Sequence, residues 1–538
     1  MHALSGRRAW PVPLGLYGLA LLAGALAASR VVFPPTEVSA YVLGVARNLV
    51  AGRGLVSDAV WSYASGPFVL PRPAFDIWQP LAGLLAALPM TVAGPWFAAA
   101  QASSVLLGAM LAPLAWWIAR DAASRNGLGG GRANMVPLGA GLVAATFGPF
   151  LTAMAGPDSY VPFTVFAVAA CALMPRALAG ERGAGVALGL ALGLAYLSRQ
   201  EAIWFGLSFL LLLRGRGPSD DTGRPPGRHR PSPTAWTAMR WPLIAGAVVV
   251  VPWIVRNALT FEGGLLRQTL ENAWLVDNTD IFAFLDRPSA AIFLAQGPAA
   301  IVGHVAAGLA HNLGAVLLVP AAPVGIVGLI GLFGLRRTRA MRDAGPLRAL
   351  FIAGITTFLV TSLAFPVATL WGTYGHASGP ALLGLIVAAA LSLDALVARA
   401  RTWRGWDRDN AWLAPLATLG LSLPVAVLSI ALLAADATAE ARRMDVLRTA
   451  LPAVDAPVIT DHPMWVAITL GVPTLARPHE ADPTAARLAN AFGARWLLWM
   501  DDGDGYAGLP PTDPCFREIQ LSGPPTLRLF KIQAGCPP

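Results

Sequence analysis

Charge is scarce in this 538-residue chain: Asp, Glu, Lys and Arg together make up 13% of it, about half the share of an ordinary soluble domain. A soluble enzyme is excluded. Lysine is almost missing, with Lys531 standing alone among 39 basic residues, so the positive charge is carried by arginine. The three cysteines allow one disulfide and rule out a fold built on several. No nucleotide-phosphate loop is present: Gly127, Gly129, Gly130 and Gly131 have no strand before them and no Gly-Lys-Ser/Thr after them, so they read as an inter-helix linker. What remains is apolar. Hydrophobic residues make up 55%, with 18 Trp and 21 Phe, and the mean hydropathy is +0.57. Disordered and collagen-like chains do not carry that much apolar surface; a polytopic helical membrane protein does.

The net charge of +9 is not gathered into one nucleic-acid-binding patch, so no nucleic-acid partner is expected. Short arginine clusters instead alternate with apolar runs, which is a topology signal. A bilayer-crossing helix needs roughly 20 apolar residues, and about eleven candidates occur. They lie near 13–32, 96–119, 134–154, 160–175, 184–198, 201–213, 241–257, 312–335, 348–366, 378–398 and 411–434. The first lacks a small-residue cleavage site and reads as a retained helix, not a signal peptide. Arginines near 120–132, 176–182, 214–240, 336–342 and 399–408 fall on one side with Arg7 and Arg8. That side is cytoplasmic by the positive-inside rule. The expected setting is the plasma (inner) membrane, with 33–95, 258–311 and everything after about 435 on the exoplasmic or periplasmic side.

The expected organisation is a membrane module over 1–434 and a small exoplasmic α/β domain over 435–538. The stretch 214–240 is rich in Pro, Gly, Arg and Ser and reads as a flexible cytoplasmic loop. Within 33–95, residues 41–50 have the spacing of an interfacial helix, and 80–94 is apolar but short for a span. After 435 short apolar runs alternate with Asp, Pro and Gly. Strands are predicted at 456–460, 473–477, 495–500, 516–520 and 527–532, with helices at 462–470 and 483–492. Cys515 and Cys536 flank the last two strands and can pair across them in an oxidising compartment, whereas Cys171 reads as a small buried residue. Asp501, Asp502 and Asp504 lack the spacing and terminal Glu of a calcium loop and read as a solvated turn.

Ionisable groups at membrane depth are costly unless paired or solvated, so those at exoplasmic helix ends are the functional candidates. Glu37 follows the first helix; Asp58 and Asp76 come later in the same segment. A carboxylate there can take a proton from an incoming hydroxyl, while capping a helix is the plainer role. Asp158 sits in the turn Ala-Gly-Pro-Asp-Ser-Tyr at 155–160. Ser198-Arg199-Gln200-Glu201 interrupts some thirty apolar residues with a cation and an anion; they can pair with each other, or Arg199 can take a phosphate. Arg256 ends the run Pro-Trp-Ile-Val-Arg at 252–256, and Tyr374 and His376 lie in Trp-Gly-Thr-Tyr-Gly-His at 371–376. Arginines from two helices converging on one site can hold a diphosphate whose lipid tail stays in the bilayer.

Four of these fragments, in order and spaced over roughly 14–400, carry a family resemblance. Glu37, Tyr41, Ala-Arg-Asn-Leu at 46–49, Gly52 and Gly54-Leu55 resemble the first exoplasmic loop of GT-C membrane glycosyltransferases. Gly-Pro-Asp at 156–158 is similar to that family's Gly-x-Glu turn, 197–202 to its Leu-Thr-Arg-Pro-Glu-Gly, and 252–257 to its Pro-Trp-x-x-Arg. The resemblance implies an inverting enzyme that takes a sugar from a polyprenyl-phosphate donor and delivers it to a glycan, lipid or protein acceptor. It places the general base at Glu37 and donor-phosphate contacts at Arg199 and Arg256; Asp76, in the same segment, is expected to aid the base. Asp158, Glu201, Tyr374 and His376 complete the substrate-binding set. No metal ligand cluster is evident, and a divalent cation stays open. The chain departs from the family pattern at Thr36, Arg53 and Gln200, where an acid, His and Pro are usual. Two other readings compete: a transporter or lipid flippase, which calls for inverted repeats and polar groups at the midplane, and a non-catalytic scaffold.

Overall fold

The computed structural model describes residues 11–214, 235–262, 267–406, 410–451, 454–501, 508–521 and 525–533. Most of the loop expected at 214–240 lies outside these, as do Arg7, Arg8, Asp502, Asp504 and Cys536.

Among the described residues, eight helices are long and apolar enough to cross a membrane. They are Pro11–Ala28, Phe97–Arg125, Tyr160–Leu178, Ala235–Thr260, Pro298–Leu318, Pro346–Ala364, Gly379–Arg404 and Leu413–Ala450. Arg132–Ala145 and Gly148–Met154 make a ninth if taken together, although they meet at 45°. Shorter apolar helices at Arg182–Ser198, Ala202–Arg214 and Val324–Leu335 fill out the bundle. The chain is a multi-pass membrane protein.

One predicted span is corrected. Residues 312–335 are not one helix: Pro298–His311 continues into a wider π-turn at Asn312–Leu318, and a second helix starts at Val324. Pro320 and Pro323 lack amide protons and interrupt the ladder between them. The segment 258–311, expected wholly outside the bilayer, therefore contributes an apolar helix. It is as apolar as Phe97–Arg125, which the sequence reading did place, so the error was one of position: the span was set too far along the chain.

Tight approach between helices depends on small residues, because packing rather than water exclusion holds membrane helices together. A Cβ at Gly189 would sit 2.3 Å from the Pro242 carbonyl oxygen, and one at Gly328 would sit 2.3 Å from that of Leu385. Arg132 donates to Asp394 at 3.0 Å, Asn126 accepts from the Ala340 N–H at 3.0 Å, and Arg182 lies 4.1 Å over the Trp241 ring. Those contacts collect the arginine clusters at one end of the bundle.

The opposite end is capped by the C-terminal region, but not by an independent block. The helix Leu413–Ala450 runs unbroken through the expected boundary at 434/435. Its following sheet borrows a strand from the first loop. In chain order the strands are β1 (Val56–Ser57), β2 (Ala59–Val60), β3 (Arg72–Pro73), β4 (Val458–Thr460), β5 (Thr474–Ala476), β6 (Trp496–Met500), β7 (Phe516–Ile519) and β8 (Leu527–Ile532). Six of them form one sheet in the order β2-β5-β4-β6-β8-β7, the first four parallel and the β6-β8-β7 part antiparallel. The strands predicted after 435 are all present, and Pro463–Leu470 and Asp482–Phe492 are the two predicted helices. Cys515 is disulfide-bonded, and Cys171 is free and buried.

Candidate functional site

At the end of the bundle away from the arginine clusters, the helix Arg182–Ser198 stops and the next begins at Ala202. Arg199 between them is extended (φ −155°, ψ 141°), so the break in the apolar run is also a break in the helix. Its guanidinium meets Glu201 through two bonds, 2.7 and 3.2 Å long, and reaches the Ser159 hydroxyl at 3.2 Å and the Thr373 carbonyl at 3.3 Å. Both side chains of the pair are about an eighth exposed. The ion pair expected as the plain role is therefore present, but it borders open space.

That space is a cavity of about 290 Å3 whose polar lining includes Arg199, Glu201, Gln268, Thr269, Asn272 and His376. Trp61, Trp78, Trp204 and Trp371 supply aromatic walls. Trp61 stands 5.9 Å from Trp78 and 6.2 Å from Trp371 between ring centres, so the first loop and the 371–376 turn are joined across the opening. A second cavity of about 430 Å3 adjoins it. Thr36, Ser39, Asp158 and Tyr160 are among its polar residues, with Val316, Leu382 and Leu433 among the apolar ones. Gly372 and His376 line both.

His376 is the hinge of this arrangement. Its Nδ1 lies 3.1 Å from Asp158 Oδ1, which also accepts from the Tyr160 N–H and the Ser159 hydroxyl, each at 3.0 Å. Burial on its own raises the Asp158 carboxyl. The His376 charge and hydrogen bond, with the Tyr160 and Ser159 donors, outweigh burial and hold it well below the usual carboxylate range. When the ring is neutral, a carboxylate on Nδ1 fixes the tautomer with the proton there and leaves Nε2 as the acceptor.

Four sequence candidates are thus brought together: Arg199, Glu201, Asp158 and His376. The other four are elsewhere. Glu37 turns toward the C-terminal region, where its Oε2 accepts the Met464 N–H at 2.8 Å and its Oε1 lies 3.6 Å from His462 Nδ1. It caps the helix Pro463–Leu470, while its neighbours Thr36 and Val38 line the two cavities. Asp76 is held by Arg72 at 2.8 Å, inside a first-loop core where Arg72 also donates to the Ser62 carbonyl. Arg256 donates to the Ala74 carbonyl and to Asn257, both at 2.8 Å, and stacks on Trp253 and Phe261. Tyr374 is fully buried against Phe358. Asp58 pairs with Arg53, in the position where the family has His. The amphipathic signal at 41–50 located the loop but not which way each side chain turns.

Sequence reasoning missed the amides Gln268 and Asn272, and most of the tryptophan wall. Gln268 and Asn272 are four apart on the short helix Arg267–Asn272 and bond each other at 2.7 Å. Their only sequence signal is a polar pair at helical spacing after an apolar span. Among the described residues no group of three or more His, Cys, Asp or Glu is arranged to hold a metal ion.

No protein-family model and no curated protein matches the chain. Solved structures do. ArnT from Cupriavidus metallidurans is similar in its apo state, with 13% identity, 98% of each chain covered and a TM-score of 0.54. The same protein bound to undecaprenyl phosphate gives 14% identity, 98% of each chain and 0.53. The Archaeoglobus fulgidus oligosaccharyltransferase in its apo form is 14% identical over 91% of this chain and 70% of that one, with a TM-score of 0.52. At such identity the likeness is one of fold. The GT-C-like architecture expected from the four fragments is borne out.

Proposed function

We propose that this protein is a membrane glycosyltransferase that moves a sugar from a polyprenyl-phosphate carrier to an acceptor hydroxyl on the exoplasmic side, with inversion at the anomeric carbon. The observation that carries the reading is the meeting of Arg199 and the Asp158–His376 pair at two adjoining cavities. The cavities lie at the end of the bundle opposite the arginine clusters, which the positive-inside rule assigns to the exoplasmic face. A shared fold with an enzyme captured on undecaprenyl phosphate supports the donor class.

In this reading the lipid phosphate enters beside Arg199, which exchanges its bond to Glu201 for a charge-assisted bond to phosphate oxygen. The acceptor hydroxyl loses its proton to His376 Nε2, while Asp158 orients the ring and stabilises the imidazolium. The acceptor oxygen bonds to the anomeric carbon as the carbon–oxygen bond to phosphate breaks. The phosphate leaves with that electron pair, and Arg199 stabilises the charge it gains. The general-base role that the resemblance implied for Glu37 passes to His376, because Glu37 is engaged by Met464 and lines neither cavity. The acceptor is a glycan, lipid or protein hydroxyl; the aromatic walls suit a sugar ring or another flat apolar face.

The test is sugar transfer in membranes supplied with a radiolabelled polyprenyl-phosphate sugar. His376→Ala should reduce transfer by roughly 10²–10⁴-fold with the chain still folded and expressed in the membrane. Undiminished transfer would remove His376 from the reaction.

A further inference from the structure

A third cavity has no part in that chemistry. It is an open groove of about 860 Å3 between the helices Pro11–Ala28 and Leu413–Ala450, floored by Thr146 and Leu151. One wall is a single face of the long helix, from Leu423 through Ala426, Val427, Ile430 and Ala434 to Arg442; the other runs from Ala23 to Arg30. The part from Leu423 to Ala435 is apolar and, at 1.5 Å per residue, about 18 Å long. That is close to the depth of one leaflet, half of a hydrocarbon core about 30 Å thick.

Both arginines stand at one end of the groove. Val31, next to Arg30, packs with Ala155 and Ala437, which sets this end level with the Asp158 turn. Arg30 and Arg442 are exposed and have no ion-pair partner among the described residues. The nearby acids are engaged or turned away: Glu440 pairs with Arg443, Asp445 with Arg448, and Asp436 does not line the groove. Two uncompensated guanidinium groups above an apolar channel one leaflet deep complement one kind of molecule, with a negative headgroup and chains of leaflet length.

We propose that this groove is a binding site for an anionic glycerophospholipid, its phosphate between Arg30 and Arg442 and an acyl chain along Leu423–Ala435. A polyprenyl carrier is far longer than the channel. The site is separate from the substrate cavities, since Ser429 and Leu433 on another face of the same helix line the second cavity. It therefore stands or falls independently of the glycosyltransferase reading.

The test uses the full chain in nanodiscs of equimolar phosphatidylglycerol and phosphatidylcholine, released into mild detergent and read by native mass spectrometry. Retained phosphatidylglycerol should exceed phosphatidylcholine by about thirtyfold, from two basic contacts at the headgroup. Arg30→Gln with Arg442→Gln should return the ratio to that of the nanodisc, whereas Arg30→Lys with Arg442→Lys should preserve most of the preference. Ala431→Trp should reduce retention of both lipids by filling the channel. An unselective wild type, a preference that survives the Gln pair, displacement of phosphatidylglycerol by undecaprenyl phosphate, or a dimer cross-linked through Leu26 and Val427 would each overturn the proposal.

Discussion

Two clusters at the same end of the bundle use the same residue types for opposite ends. In the first-loop core, the buried Arg72 pairs with the partly buried Asp76 at 2.8 Å and bonds a loop carbonyl, and Tyr41 accepts the Phe75 N–H beside them at 2.7 Å. At the cavities, Arg199 and Glu201 make an equally short pair, and Asp158 holds His376, but each borders open volume. An ion pair that lines neither cavity fixes a loop. One with a void beside it can exchange its partner for a ligand, so what separates structure from function here is the space around a charge.

The sharpest break of that comparison is Arg72→Ala. Removing one partner of a buried pair costs about 3–5 kcal/mol, so the variant should lose its monodisperse peak in fluorescence-detected size exclusion; a folded, active variant would erase the distinction. Arg199→Ala should do the reverse. Loss of a transition-state donor costs roughly 10²–10³-fold in turnover, measured as transfer from labelled lipid donor, while thermal stability holds. Equal losses of stability in the two variants would show that both pairs are structural.

Asp158→Asn sharpens the contrast through pH. The Asp158 carboxyl is held below its ordinary value, so the stability it contributes is present above an unfolded pKa of about 3.9 and is lost as pH falls through the depressed folded value. Melting curves taken downward from pH 6 should steepen below about pH 4 for the native chain and stay flatter for Asp158→Asn. Identical slopes would mean that the carboxylate is not held by His376. The smallest effect belongs to Glu37→Gln. The amide oxygen can still accept the Met464 N–H, so transfer should change by less than about threefold and stability by no more than about 1 kcal/mol. Abolished transfer with a normal melting curve would return the base role to Glu37.

Much of the fold was legible because its signals are local. Apolar runs of bilayer length, arginine clusters in alternate loops and the strand–helix alternation after 435 each depend on neighbouring residues alone. The span misread at 312–335 failed for a related reason: the apolar stretch runs on past Pro320 and Pro323, and composition alone does not show that the helix Pro298–Leu318 ends there and another starts at Val324. The site was half legible. Arg199 announced itself as a charge in an apolar stretch, and the turn holding Asp158 by its Gly and Pro. Glu37 looked like their partner because it shares their membrane face, yet 427 residues separate it from the Met464 amide that occupies it.

From its sequence alone the chain was bound to be a multi-helix membrane protein with its inter-helix arginine clusters on one side and a small mixed α/β region after the last span, because bilayer solvation and strand alternation act over a few residues. Only the tertiary structure decided that a first-loop strand completes the C-terminal sheet, that Glu37 serves as a helix cap, and that Asp158 and His376 meet across 218 residues of chain. Which carboxylate stays available depends on distant segments competing for it, and that competition is settled by packing geometry.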